Sequence, residues 1–441
     1  MRKTKKDYSQ ELLSKLKRRK ATIGIIGLGY VGLPLAIEFA KVGFHILGID
    51  LSQKKIDLLK NGKSYITDVS DNEVKIFVLK EKSIQISSSY NILKRADIVC
   101  IAVPTPLKKT KDPDISFIVS AMRELKKVFH PGMLIILEST TYPGTTKELI
   151  ASEIEKMGHK AGKDFFVAYS PERVDPGNPH FTTWNIPKVL GAITKTGRKL
   201  AYELYSSFLK NIHIVETVEE AEMAKLLENT FRAVNIGLVN EMTIMCDRMG
   251  INIWNVIEAA STKPFGFMPF YPGPGIGGHC IPLDPLYLSY RAKMYNFYNR
   301  FIELATDING NMPGFALSKL SHILNRLKKS FSTSKILLLG IAYKKNVNDL
   351  RESPSLEIYR LLLNENAKVD YYDPLIPEFQ EGGKKIKSIS LEPEIIRKYD
   401  CVVVTTAHSD VDYKLVLKNA KSIFDTRNVY KGVKSDKITR L

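Results

Sequence analysis

No apolar run in this chain of 441 residues approaches the roughly 18 residues needed to cross a bilayer. The longest candidates, such as Ile98–Val103 and Ile336–Gly340, have the length of strands. The charged N-terminus has no hydrophobic stretch behind it, so a secretory signal is not expected, nor is membrane insertion. Cysteine is also scarce. Cys100, Cys246, Cys280 and Cys401 stand 146, 34 and 121 residues apart, with no CxxC pair. That spacing makes neither a disulfide scaffold nor a zinc site, so no metal is expected, and a reducing cytoplasm suits it best.

What is present describes a soluble globular chain. Hydrophobic residues make up 44% and charged residues 25%, enough for a sizeable core, and the length suggests two or three domains. Basic residues outnumber acidic ones 65 to 47, a net charge of +18. The first 20 residues hold nine basic and two acidic side chains, a net of +7. The Lys15–Lys20 cluster could touch RNA or anionic lipid. Such a run more often forms a solvated, partly helical lead-in, and no nucleic-acid partner is expected. A basic excess also suits a protein that handles phosphorylated anions.

The pattern of elements is α/β. A strand at Thr22–Ile26, a glycine-broken turn, a helix at Leu33–Val42 and a strand at Phe44–Ile49 begin an open parallel sheet. Further strands are expected at Ile98–Val103, Met133–Leu137 and Phe165–Ala168. Val218–Met249 has few breakers and apolar residues three and four apart, the signature of a long helix. Pro264–Pro285 is dense in proline and glycine and reads as a loop, followed by helical patterning from Tyr287 to about Lys329. Strands return at Ser334–Gly340, Lys368–Tyr372, Asp400–Thr405 and Ser422–Asp425. The expected architecture is two Rossmann-like domains with parallel sheets joined by a long central helix. The segments are a basic extension over 1–20, a first Rossmann domain over 21–215, a helical region over 216–315 and a second Rossmann-like domain over 316–441.

Gly27-Leu28-Gly29-Tyr30-Val31-Gly32 follows a strand and opens a helix. In such a turn the first glycine makes the bend, the second admits a pyrophosphate to the backbone, and the third lets helix and strand pack closely. The helix N-terminus adds oriented N–H groups. Asp50, at the next strand end, is placed to take ribose hydroxyls and to repel a 2′-phosphate, which favours NAD over NADP. Loops at Pro104–Pro106, Ser139–Gly144 and Ser170–Arg173 follow strands at the same sheet edge, where ligands of open α/β sheets bind.

The Pro272–Asp284 segment contains Gly273, Gly275, Gly277 and Gly278 ahead of His279 and Cys280. Its exposed N–H groups could cradle a diphosphate and present Cys280 as a nucleophile, with Asp284 four residues on. The other three cysteines lie in apolar runs and read as inert core. Lys225 and Asn229 are four apart on the long helix and share a face, either solvated or aimed together at an oxyanion.

These blocks together resemble the UDP-glucose/GDP-mannose dehydrogenase family. They are Gly27–Pro34, Glu138–Thr140, Ser170–Arg173, Glu222–Asn229, Gly273–Asp284, Gly340–Lys345 and Asp349–Pro354. The resemblance implies a helix-bridged dimer or higher homo-oligomer that oxidises the C6 alcohol of a nucleotide sugar to a carboxylate, with two NAD per product. It implies that Cys280 forms a thiohemiacetal and then a thioester, and that Lys225 and Asn229 stabilise the oxyanion. Asp284 and a water on Thr140 would handle protons, and Glu172 would serve hydrolysis. The implied NAD contacts are Gly27, Gly29, Tyr30, Val31, Gly32, Asp50, Lys55, Thr105, Thr140 and Arg351. Tyr271, Gly273, Gly275, Gly277, Lys344 and Arg427 would hold the substrate diphosphate, with Glu172, Arg173, Lys225 and Asn229 near the sugar. One departure is Pro176, which stands where the UDP-glucose branch often carries a second Glu four residues beyond the first.

The Gly277–Pro285 and Ser170–Gly177 sequences, with Arg300–Pro313, most resemble the branch acting on UDP-N-acetylglucosamine in bacterial polysaccharide biosynthesis. The UDP-N-acetylmannosamine and UDP-glucose branches stand close behind. Readings of a different class are a non-catalytic nucleotide-sugar binding protein on the same fold and a dehydrogenase that stops at the aldehyde or ketone.

Overall fold

The computed structural model describes residues 7–66, 68–108, 110–174, 181 and 183–441. It divides into two compact units, one of residues 1–228 and 286–295, the other of residues 229–285 and 296–441. The long helix is Val218–Met249, as its periodicity predicts, and it passes from the first unit to the second after Glu228.

The first unit holds an eight-stranded sheet. Its strands are β1 (Thr22–Ile26), β2 (His45–Ile49), β3 (Ile84–Ser87), β4 (Ile98–Ile101), β5 (Leu134–Leu137), β6 (Phe166–Tyr169), β7 (Lys188–Ala192) and β8 (Ile212–Ile214), in the order β3-β2-β1-β4-β5-β6-β7-β8. All neighbours are parallel except β6 and β7. The continuous Ile, Val and Leu runs follow from burial on both faces. Ile98 and Cys100 point into one core, Val99 and Ile101 into the other. The strand order reverses between β1 and β4, which opens a crevice at the carboxyl edge.

The second unit contains a five-stranded parallel sheet built from β9 (Lys335–Leu339), β10 (Lys368–Tyr372), β13 (Cys401–Val404), β14 (Ile423–Asp425) and β15 (Ile438–Arg440). Its order is β10-β9-β13-β14-β15, with a separate hairpin of β11 (Glu378–Glu381) and β12 (Lys384–Lys387). Ile336 and Leu338 face one core, Leu337 and Leu339 the other. The reading of two parallel-sheet α/β halves and a long helix between them is the observed fold. Among the described residues, no helix is long and apolar enough to cross a membrane.

Two local expectations change. The basic lead-in is only partly solvated. Asp7 accepts N–H bonds from Ser9 and Gln10 and so caps a helix at Tyr8–Lys17. Leu12, Leu13 and Leu16 of that helix join the core of the first unit, while Lys15 Nζ donates to Asp97 Oδ1 at 2.6 Å. The four basic residues before it, Arg2, Lys3, Lys5 and Lys6, lie outside the described residues. The Pro264–Pro285 loop is also shorter than expected, because a helix already begins at Cys280 and runs to Lys293. Pro282 falls in its first turn, where a missing N–H breaks no helical bond, so that proline does not stop the helix.

Candidate active site

At the carboxyl end of β1, Gly27 has φ +94° and donates its N–H to the carbonyl of Ile49 at 2.8 Å. A Cβ there would lie 2.5 Å from the Ala102 carbonyl oxygen, and one on Gly32 would lie 1.8 Å from the Gly27 oxygen. Gly29 differs, since nothing lies within 4 Å of its Cβ position. The turn is therefore closed at its first and third glycines and open at the second, which is the form that admits a pyrophosphate. Tyr30 is exposed and Val31 half-buried beside the helix Gly32–Lys41.

Asp50 ends β2. Its carboxylate accepts from the N–H of Leu28 (3.1 Å) and of Ser52 (2.9 Å), and Lys55 Nζ donates to it at 3.2 Å. The carboxylate side chain remains 9% accessible, with lone pairs left for a ribose. Thr105 is buried beyond β4 and Thr140 half-buried beyond β5, on the same sheet edge. These residues fit a dinucleotide.

After β6, Glu172 Oε1 accepts the N–H groups of Arg173 and Val174, at 2.7 and 2.9 Å. Its other oxygen lies 3.9 Å from Lys188 Nζ. Arg173 is committed to positions in its own unit. It pairs with Glu228 on the long helix, Nη2 to Oε1 at 2.6 Å, and donates through Nη1 to the Pro187 carbonyl. Asp175 and Pro176 lie outside the described residues.

Sequence reasoning assigned no role to two buried acids in this unit. Glu138 accepts from Lys188 Nζ at 2.8 Å and from the Tyr205 hydroxyl. Burial pushes its carboxyl pKa up, against the pull of the Lys188 charge. Lys188 thus reaches both Glu138 and the neighbourhood of Glu172, yet in sequence it is a single lysine opening a strand. Glu222, in the first turns of the long helix, accepts from the N–H groups of Gly144 (2.6 Å) and Thr146 (2.9 Å) and from the Thr146 hydroxyl (2.7 Å). It ties the loop after β5 to the helix that carries Lys225 one turn later. Burial raises its pKa to about 7. The signal for Glu222 was its place in the Glu222–Asn229 block.

In the second unit the glycine-rich loop packs on the residues after β9 and β14. Gly273 accommodates the guanidinium of Arg427, whose Nη1 lies 2.3 Å from where a Cβ would be. Arg427 Nε donates to the Thr405 carbonyl at 2.8 Å, and desolvation lowers the pKa of this half-buried guanidinium to about 10. It stays cationic near neutrality, and a half-buried guanidinium beside a glycine-lined loop can bind an anion. Gly275 lies against Pro354, and Gly277 against Tyr343, Glu352 and Pro354. The Gly278 N–H donates to the Arg351 carbonyl at 3.0 Å. Tyr271 is exposed and stacks on Trp254, with centroids 6.3 Å apart. Lys344 is half-buried, and the Arg351 guanidinium binds Asp349 through Nε and Nη2 at 2.7–3.1 Å.

The exposed Cys280 thiol stands at the first residue of the helix Cys280–Lys293, while Cys100, Cys246 and Cys401 are buried. Aligned N–H groups at a helix N-terminus favour a thiolate. Burial, and then the Arg351 charge, hold the pKa of the adjacent His279 below the usual imidazole value. One turn on, buried Asp284 accepts a hydrogen bond of 2.5 Å from Asn229 Nδ2. Lys225 and Asn229 are both buried, which removes the reading of a solvated helix face.

Three domain profiles match the chain in sequence order. The NAD binding domain of the UDP-glucose/GDP-mannose dehydrogenase family covers residues 21–209, its central domain 219–311 and its UDP binding domain 337–432. The chain belongs to this family. A UDP-N-acetyl-D-glucosamine 6-dehydrogenase of Pseudomonas aeruginosa is 34% identical over 392 residues, 88% of this chain and 90% of the relative. A UDP-N-acetyl-D-mannosamine dehydrogenase of Pyrococcus horikoshii is 34% identical over 414 residues, 93% and 96% of the two chains. The solved structure of a UDP-D-ManNAc dehydrogenase from Pyrococcus horikoshii superposes with a TM-score of 0.86 at 33% identity, covering 95% of this chain and 98% of that one. This family member is an NAD-dependent oxidoreductase acting on a UDP-sugar.

Proposed function

We propose that this dehydrogenase oxidises the C6 hydroxymethyl group of UDP-N-acetylglucosamine to a carboxylate. The observation that carries the four-electron reading is the exposed Cys280 thiol at a helix N-terminus, at the end of a loop shaped for a diphosphate. Bound NAD supplies a hydride acceptor for each of the two oxidations. The C6 alcohol first loses a hydride and a proton to give the aldehyde. Cys280 Sγ then adds to the carbonyl carbon, forming a thiohemiacetal whose oxygen gains a proton. Loss of a second hydride with that proton leaves a thioester. Water adds to it and the C–S bond breaks, returning the thiol and releasing the carboxylate.

In this scheme Lys225 and Asn229 stabilise the oxyanions. Asp284, held by Asn229, and a water on Thr140 move protons. Glu172 directs the hydrolytic water, and Lys188 and Glu138 hold its surroundings. Arg173, tied to Glu228, frames the sugar. Tyr271, Gly273, Gly275, Gly277, Lys344 and Arg427 hold the diphosphate. Gly27–Gly32, Asp50, Lys55, Thr105, Thr140 and Arg351 hold NAD.

The sugar assignment is supported by the Gly277–Pro285 sequence and by the Pseudomonas aeruginosa relative. A second reading, UDP-N-acetylmannosamine, is favoured by the Pyrococcus horikoshii relative and its structure. The test is turnover with NAD and each of UDP-N-acetylglucosamine, UDP-N-acetylmannosamine and UDP-glucose, with product mass and NADH counted. About two NADH per uronate, fastest with UDP-N-acetylglucosamine, is expected. Cys280→Ser is expected to lower kcat on the order of 10³-fold, as loss of a catalytic nucleophile does. A Ser variant near the wild-type rate with one NADH per sugar sinks the thioester route, and faster turnover of another sugar reassigns the substrate.

A further inference from the structure

The second sheet repeats the turn of the first. Gly340 follows β9 with φ +85° and donates its N–H to the Tyr372 carbonyl at 2.8 Å, as Gly27 does to Ile49. Asp373 follows β10 as Asp50 follows β2. The two acids then part company. Asp373 Oδ2 accepts the N–H groups of Ile341 (2.7 Å) and Ala342 (3.0 Å) and lies 3.1 Å from His408 Nε2, and Oδ1 accepts from Leu375 and Ile376. Five donors fill the lone pairs of a carboxylate that is wholly inaccessible.

The other ring nitrogen of His408, Nδ1, accepts the backbone N–H of Asn346 at 3.1 Å, so the proton sits on Nε2 and is given to Asp373. Asn346, at φ +59°, adds two bonds to Ser409, donating from Nδ2 at 3.0 Å and accepting the Ser409 N–H at 2.9 Å. The loop 341–346 is thereby held at both ends. Asp373 takes its first two N–H groups, His408 and Ser409 its last residue, and the Thr406 hydroxyl bonds the Ala342 carbonyl at 2.5 Å. Lys344 sits between these anchors. Tyr343 lies against the loop that leads to Cys280, its Cβ 2.7 Å from where a Gly277 Cβ would be and its ring equally near that of Gly278.

We propose that His408 is a positioning residue for the UDP-sugar, clamping the 341–346 loop so that Lys344 and the glycine-rich loop before Cys280 keep their spacing. The proposal rests on the roles given above to Lys344 and Cys280. A merely structural histidine would change stability alone, whereas a clamp on this loop changes UDP affinity and leaves NAD binding untouched.

The test uses the full chain as wild type, His408→Ala, His408→Gln and Asn346→Gly. It measures the Kd of UDP by calorimetry, the KM of UDP-sugar and of NAD, kcat and the melting temperature. His408→Ala is expected to weaken UDP and raise the sugar KM about tenfold, the size of one lost buried hydrogen bond, with NAD KM unchanged. The Gln variant, which keeps a donor and an acceptor, should recover much of that loss. Asn346→Gly keeps the positive φ and the N–H to His408 but loses the bonds to Ser409, so it should shift UDP affinity the same way, by about threefold. A folded His408→Ala with a lowered melting temperature and UDP Kd within twofold of wild type overturns the proposal. If that variant does not fold, Asn346→Gly decides by the same reading. Because UDP alone is the probe, a wild type that turns over no sugar defeats the proposed reaction, while a loss of UDP affinity in the variants still upholds the clamp.

Discussion

At the scale of single residues, Glu222 carries a consequence for pH. Its carboxyl is raised from 4.5 to about 7, by burial first, against three donors that favour the anion. A group whose folded pKa is raised adds stability that is complete below its unfolded pKa and is lost as pH rises through the folded one. Glu222 therefore stabilises the fold fully below about pH 4.5, and the contribution fades by about pH 7, at up to ~1.4 kcal/mol per pH unit. Glu222→Gln cannot titrate. In calorimetric melts from about pH 5 to about pH 7.5, wild type should lose melting temperature relative to this variant. A constant difference across that range would show that the carboxyl keeps an ordinary pKa in the fold.

At the scale of elements, the N-terminal helix belongs to the core of the first unit. Leu16 is wholly buried, so Leu16→Ala should cost about 2–5 kcal/mol. Urea unfolding followed at the first unit reads this, with UDP affinity unchanged; a loss under about 0.5 kcal/mol would mean that the helix is only a surface decoration. The sequence left this docking open because charge dominates the first 20 residues, and Leu12, Leu13 and Leu16 make too short a pattern to announce a buried face. Other elements were legible. The long helix had few breakers, Gly237 among them, and the glycine turn at Gly27 needed only local rules. Cys280 was harder to place, since Pro282 and Pro285 disguised the start of its helix. The buried pairs Glu138–Lys188 and Asp373–His408 join residues 50 and 35 positions apart, and no periodicity connects such positions.

At the scale of the molecule, the long helix leaves Leu227, Phe231, Leu238, Met245 and Met249 exposed at intervals of four and seven. We propose that a second copy of the chain covers this stripe, as the resemblance implies. Sedimentation should find wild type dimeric or larger and Leu238→Glu shifted toward monomer, and a monomeric wild type would refute it. The contrast between Asp50 and Asp373 reaches further still. Of these two sheet-end acids only Asp50 keeps lone pairs for a ribose, whereas the proposed reaction withdraws electrons twice. The coenzyme must change over midway while the half-oxidised sugar waits. That makes retention, more than speed of capture, the quality on which the chain's output depends. A covalent tether on sulfur and a firmly clamped nucleotide loop are two ways to keep a reactive aldehyde from leaving during the exchange.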